Sequence, residues 1–259
     1  MPLLRVEAVH RRFGGLKALN DVSFVVEPGR IKAVIGPNGA GKTTLFNLIS
    51  GCLPLDAGRI FFKAKAIQGC KPHQIAALGL ARTFQNIELF PGMTVLENVM
   101  LGCHTRSRAG FLAGMCCAPW TWGEERSARE RAMAALELPR LARLAGAEAC
   151  SLPFGQQRLV ELARALASEP TLLLLDEPAA GLNLRETEEL ARLICQIRER
   201  RITVLLVEHD MSLVMGISDE IVVLNSGVKI AEGPPSAIQG NEEVIRVYLG
   251  GEDADGKEP

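Results

Sequence analysis

Gly36-Pro37-Asn38-Gly39-Ala40-Gly41-Lys42-Thr43 lies between a short apolar run, Ile31 to Ile35, and an apolar helical pattern from Lys42 to about Ser50. Lys32 is the only polar member of the first run, so it reads as a buried strand. Strand, glycine-rich turn and helix is the setting in which a loop cradles phosphate. The glycines let successive backbone N–H groups turn toward one anion, and the positive end of the following helix adds to them. In this pattern Lys42 would reach the β- and γ-phosphates and Thr43 would offer its hydroxyl to Mg²⁺.

Working outward, the second chemical signal is Leu172-Leu173-Leu174-Leu175-Asp176-Glu177, an apolar strand that delivers two carboxylates to its carboxyl end. Ligands bind at that end of strands in open α/β sheets. Asp176 would hold Mg²⁺ through water, and Glu177 would polarise an attacking water. Around these two strands the chain alternates: Arg185 to Arg200 is amphipathic with helical period, and Ile202 to Val207 is a further strand. Ile221 to Leu224 and Val228 to Ala231 flank the turn Asn225-Ser226-Gly227 as a hairpin. Alternating strands and helices imply a parallel sheet covered on both faces.

The first third adds Leu3 to Val9, Val22 to Glu27 and Arg59 to Phe62 as strands, with Pro28-Gly29 as a turn and Pro72 to Leu78 as a short helix. Thr94 and Glu97 form a capping box that opens a helix running to about Gly102. Ser127 to Glu137 and Gln156 to Ser168 also have helical period. The expected fold class is therefore α/β: a phosphate-loop parallel core with an antiparallel β subdomain. Residues 1–251 form its single domain, about 90–155 an inserted helical subdomain, and 252–259 a frayed polar tail. The stretch from Cys103 to Gly123 holds Phe111, Trp120 and Trp122, and reads either as a partner-docking surface or as a connector covering the helical subdomain.

Composition narrows the function classes. In 259 residues, 29 basic and 30 acidic side chains nearly cancel, which leaves no electrostatic footprint for nucleic acid. No apolar stretch reaches the 18 or more residues of a membrane span, and Met1 to Arg12 lacks a signal-peptide core, so a cytoplasmic chain is expected. The seven cysteines are odd in number and irregular in spacing, which fits reduced thiols. Cys103, His104, Cys116 and Cys117 lack the paired spacing of a zinc site.

Further motifs fall in a fixed order, and with them the chain resembles ATP-binding cassette ATPases over almost its whole length. The resemblance implies that residues 36–43 and Thr44 bind ATP, and that Phe13, in Arg12-Phe13-Gly14-Gly15, stacks on adenine. It implies that Gln85, in Arg82-Thr83-Phe84-Gln85, touches Mg²⁺ with Thr43 and Asp176, and that Lys42, Glu177 and His209 are catalytic. Leu152-Pro153-Phe154-Gly155-Gln156 occupies the signature position, which contacts ATP held by a partner subunit. Ala180-Gly181-Leu182-Asn183 matches the loop that crosses the dimer interface.

Two departures stand out. Pro153 replaces the signature's usual serine and offers neither hydroxyl nor N–H, so the contact across the dimer falls to Gly155 and the helix amino terminus. Asn183 stands where aspartate is usual. Both changes point to pairing with a second, non-identical ATPase chain.

Within the family the chain is similar to ATP-binding subunits of bacterial branched-chain amino acid importers. The shared phrases include Ala81-Arg82-Thr83-Phe84-Gln85, Glu208-His209-Asp210-Met211 and Val244-Ile245-Arg246-Val247-Tyr248-Leu249-Gly250. That resemblance implies two membrane permease subunits, an extracytoplasmic substrate-binding protein and a site at the cytoplasmic face of the membrane. Urea, short amides or aromatic acids remain alternative cargoes. Soluble cassette ATPases of chromosomes or ribosomes fit less well, because there is one cassette and no long heptad run. A kinase or GTPase does not suit Asp176-Glu177 followed by His209.

Overall fold

The computed structural model describes residues 1–106 and 119–249. Four strands, β1 (Leu4–Phe13), β2 (Leu16–Val26), β4 (Ala57–Phe62) and β5 (Lys65–Ala66), form an antiparallel sheet in the order β2-β1-β4-β5. β1 runs four residues past the expected end at Val9. Shifts in its register between Val6 and Arg12, with Ala8 at positive φ, break the alternation that a sequence reading relies on.

The second sheet has six strands in the order β10-β9-β3-β8-β7-β6. Its members are β3 (Ile31–Ile35), β6 (Leu80–Arg82), β7 (Leu172–Asp176), β8 (Thr203–Val207), β9 (Glu220–Asn225) and β10 (Val228–Gly233). All neighbours are parallel except the β9–β10 hairpin, which closes through Ser226 and Gly227 at positive φ. At three residues, β6 is too short for any periodicity to reveal.

Alternation along the parallel strands assigns each face. Val34, Leu172, Leu174, Leu205 and Val207 point to the side covered by α1 (Lys42–Ile49) and the antiparallel sheet. Leu173, Leu175, Val204 and Leu206 point to the other side, against α6 (Leu184–Glu199). Both faces are buried, which accounts for the nearly unbroken apolar strands. Lys32, within β3, is buried with its ammonium on Glu220 (2.9 Å), Glu232 (2.5 Å) and the Val25 carbonyl (2.6 Å). A buried charge is tolerated when it is paired in this way.

Three helices pack into a separate apolar cluster: α3 (Val95–Met100), α4 (Pro119–Glu137) and α5 (Phe154–Ala167). α3 stops two residues short of the expected end and tightens into a 3₁₀ segment, Leu101–Arg106. Between this 3₁₀ segment and α5 the backbones come close, for a Cβ added at Gly102 would lie 2.0 Å from the Arg164 carbonyl oxygen. The aromatic stretch from Cys103 to Gly123 falls largely outside the described residues, as does the polar tail. At the start of α3, Thr94 Oγ1 accepts from Glu97 N (3.2 Å) while the Glu97 carboxylate accepts from Thr94 N (2.8 Å). Thr94→Ala is expected to lower stability by about 1 kcal/mol, measurable by urea unfolding.

Short helices α2 (Pro72–Ala77), α7 (Met211–Ile217) and α8 (Pro235–Gln239) complete the layers, followed by α9 (Glu242–Leu249). No helix among the described residues is long and apolar enough to cross a membrane.

Candidate functional site

Register explains why distant segments meet. Val207, at the end of β8, lies opposite Val34 of β3 on one side and Asp176 of β7 on the other. The carboxyl ends of three parallel strands are therefore level, and the chain leaves all three at one edge. Residues 36–43 leave β3 there, Asp176 with Glu177 ends β7, and Glu208 with His209 leaves β8. β6 joins them through Thr83, whose N–H donates to the Leu174 carbonyl (3.0 Å) and leads the chain to Gln85 two residues later.

The loop is tightly constrained. A Cβ on Gly36 would stand 2.1 Å from the Leu224 carbonyl oxygen, and Gly41 has φ +99 with the Ala18 carbonyl close by. Gly41 also caps α1 with no side-chain partner, so the first amides of the helix stay available to an anion. Lys42 folds back over its own loop, donating to the carbonyls of Gly36 (2.7 Å) and Pro37 (3.0 Å). Burial holds its pKa below the ordinary lysine value, while Glu177 and Asp176 pull it upward. Thr43 is exposed and Thr44 half-buried, both at the start of α1.

Asp176 is buried and paired with Arg82 (Nη2–Oδ2 2.8 Å). Glu177 adopts a left-handed conformation (φ +46), held by its N–H on the Val207 carbonyl (2.9 Å). Gln85 Nε2 donates to Glu177 Oε2 (2.8 Å), so the amide nitrogen is engaged and the amide oxygen remains to face a cation. The Thr43 hydroxyl, the Gln85 amide oxygen and the Asp176 carboxylate are hard oxygen donors of the kind Mg²⁺ takes. His209 is mostly exposed, and its neighbour Glu208 is buried. The Glu208 carboxylate accepts from the N–H groups of Ala179 (2.8 Å) and His209 (3.0 Å), tying the loop after Glu177 to the loop that carries the histidine. Burial outweighs these donors and raises the Glu208 pKa.

Residues 152–156, expected to form the signature, lie beside residues 180–183, expected to form the dimer loop. Pro153 precedes α5 without a side-chain cap, following Leu152, and Gln156 sits in the first turn. Phe154 is half exposed, and a Cβ on Gly181 would come within 2.9 Å of its ring. A Cβ on Gly155 would meet the Glu186 carboxylate at 2.6 Å. Asn183 caps α6, with its side-chain oxygen accepting from Glu186 N (3.0 Å) and the Glu186 carboxylate accepting from Asn183 N (3.0 Å). An asparagine fills that cap as well as an aspartate does. Ala180 and Leu182 complete the loop between Glu177 and the cap. Phe13, at the tip of β1, is 44% exposed with the Arg11 guanidinium 4.9 Å above its ring.

A family model described as "ABC transporter" matches residues 19–180, from within the second strand to Ala180. The chain belongs to the ABC transporter family. Like other cassettes of that family it is an ATP-binding ATPase. A second family model, "Branched-chain amino acid ATP-binding cassette transporter", matches residues 228–254 and includes α8 and α9. The high-affinity branched-chain amino acid transport ATP-binding protein BraF of Pseudomonas aeruginosa is 47% identical over 96% of this chain and 98% of its own. Among solved structures, MJ1267 in its ADP conformation, an ATP-binding cassette of an ABC transporter, superposes with a TM-score of 0.84 at 34% identity. That match covers 96% of this chain and 99% of the other. The dimeric post-hydrolysis cassette MJ0796, bound to ADP and Pi, matches with a TM-score of 0.75 at 25% identity, covering 90% and 98%.

Two groups of site residues in this ABC cassette are not evident from its motifs. Glu208 stands out in the sequence only as the residue before a histidine, although a carboxylate at the end of the apolar run Thr203–Val207 is a signal of its own. Arg158 and Glu161 lie on α5, five and eight residues past Pro153. Arg158 donates to the carbonyls of Phe84 (2.9 Å) and Gln85 (2.8 Å), and the Glu161 carboxylate accepts from Phe84 N (3.2 Å). The helix that begins at the signature thus grips the backbone on which Gln85 is carried.

Proposed function

We propose that this chain is the ATP-hydrolysing subunit of an importer for branched-chain amino acids. It would act at the cytoplasmic face of the membrane with a second ATPase chain, two transmembrane permease subunits and an extracytoplasmic substrate-binding protein. The observation that carries the catalytic part is the common level of β3, β7 and β8. It supports a single site made from residues 36–44, Asp176, Glu177 and His209. The cargo rests on the likeness to BraF and on the match at residues 228–254.

In this reading the amides of residues 36–44 bind the phosphates and Lys42 turns from its own loop carbonyls to the β- and γ-oxygens. Thr43, Gln85 and Asp176 would hold Mg²⁺, which when bound would neutralise charge on the phosphate oxygens. Glu177 orients the attacking water and takes its proton, while His209 donates toward the γ-phosphate. Phe13 stacks on the base. The amino terminus of α5, at Gly155, meets the partner's nucleotide, with residues 180–183 beside it. The Gln85–Glu177 hydrogen bond would link the nucleotide site to the backbone held by Arg158, the route along which nucleotide state would be reported.

The test is uptake. Cells lacking the chain are expected to lose import of radiolabelled leucine, isoleucine and valine, with recovery on re-expression of the wild type and none with Lys42→Ala. Unchanged uptake of all three would reject the cargo, and loss of urea or aromatic acid uptake instead would reassign it. A purified chain that dimerises with ATP and hydrolyses it alone at the rate of the assembled complex would remove the second ATPase chain.

A further inference from the structure

Arg82 closes β6 opposite Leu174, and its side chain is 6% exposed. One arm of the guanidinium is 2.8 Å from Asp176 Oδ2. The other donates to Asn47 Oδ1 (2.7 Å) and Ser50 Oγ (2.8 Å), both contributed by the phosphate-loop helix and its cap. The Phe46 and Phe84 rings lie 5.7 Å and 5.0 Å from its central carbon. A buried arginine thus spends its planar fork on three partners, one of which is the acid at the end of β7.

We propose that Arg82 is a positioning residue for Asp176 that presets the magnesium site: it fixes the carboxylate in place before metal arrives and offsets part of its charge, which sets metal affinity below what the acid alone would give. The inference rests on the reading of Asp176 as the magnesium carboxylate. Without Arg82, Asp176 would lose the ion pair that holds its carboxylate beside Glu177. Fork geometry matters as much as charge. A lysine keeps the charge but is a single point donor that cannot hold Asn47, Ser50 and Asp176 together.

Opposing effects decide the direction of the result. Removing the guanidinium frees one carboxylate rotamer, which weakens metal binding slightly. It also removes a full positive charge from beside the divalent ion in a poorly screened site, which strengthens binding more. The net expectation is tighter metal binding in a less stable protein.

The probe is Mg²⁺ titrated against a fluorescent ADP analogue, a measurement that involves no turnover, together with the melting temperature of the metal-free chain. In Arg82→Met the Mg²⁺ concentration that half-restores nucleotide affinity is expected to fall about tenfold, and in Arg82→Lys to stay within about twofold of wild type. Both variants are expected to melt lower than wild type. Arg82→Gln, uncharged but still a donor to Asp176, is expected to behave like the methionine variant and serves if that one does not fold. Asp176→Ala is the control for the underlying reading and should raise the Mg²⁺ requirement. If Asp176→Ala behaves so while Met and Gln leave the requirement unchanged or raise it, or while Lys lowers it as far as Met does, the role of Arg82 is overturned. If Asp176→Ala leaves the requirement unchanged, the carboxylate assignment itself fails.

Discussion

Lys42→Ala is expected to reduce ATP turnover by at least about 10²–10³-fold and to weaken nucleotide binding, with circular dichroism and the melting curve close to wild type. The fold should survive because of the lysine's partners. Among the described residues Nζ hydrogen-bonds only the carbonyls of Gly36 and Pro37, within the same loop, so removing it detaches no second element. The chemistry should fail because of where the ammonium stands. It is buried, its pKa is lowered by that burial, and only Glu177 and Asp176 compensate. A triphosphate would supply the missing counter-charge, so the lysine gains most from the ligand at the point where charge accumulates in the transition state. Lys42→Arg should not restore activity, because a planar fork does not reproduce the compact ammonium that sits on the Gly36 and Pro37 carbonyls. Turnover by Lys42→Ala within a few-fold of wild type would remove this residue from the phosphate site.

How much of this was legible in the sequence divides along physical lines. The phosphate loop and the strand ending in Asp176 carry local patterns strong enough to survive without tertiary context: glycines at fixed spacing, and an apolar run ending in two acids. The capping box at Thr94 and the Ser226-Gly227 turn are equally local, and the structure has both. The features that could not be read depend on contacts across long separations. β6 has three residues and exists because Leu80, Ala81 and Arg82 pair with Leu172, Leu173 and Leu174. Arg82 reaches Asp176 94 residues away, and Arg158 reaches Phe84 across 74. Neither pairing leaves a period or spacing behind. Asn183 shows the opposite case. As a departure from the usual aspartate it reads as a lost charge, whereas its oxygen is occupied in capping α6, a task that needs no charge. The cap accounts for the residue's tolerance, and pairing with a non-identical chain then rests chiefly on Pro153.

Glu177→Gln separates binding from chemistry. Its turnover is expected to fall by about 10²–10⁴-fold while nucleotide affinity is kept, and the variant should accumulate as an ATP-bound complex with its partner chain. The carboxylate is aimed by its own strained backbone (φ +46) and by the hydrogen bonds to Val207 and Gln85, and it contacts none of the loop amides that would bind phosphate. Glutamine keeps the size and the backbone anchor to Val207 but cannot take a proton from water, so the pocket closes around ATP and stays closed. It also turns the Gln85 contact into one between two amides, which can be restored by flipping one of them, so the loop that carries Gln85 should keep its course. Size-exclusion chromatography with ATP, in the presence and absence of the partner ATPase chain, measures the trapped complex, and phosphate release measures the chemistry. Glu177→Asp should recover only a small part of the activity, because the shorter side chain withdraws the carboxylate from the water while remaining a base. Were Glu177→Gln to turn over normally, the proton would have to pass to another group, and His209, next to the buried Glu208 and itself exposed, would be the one to change next.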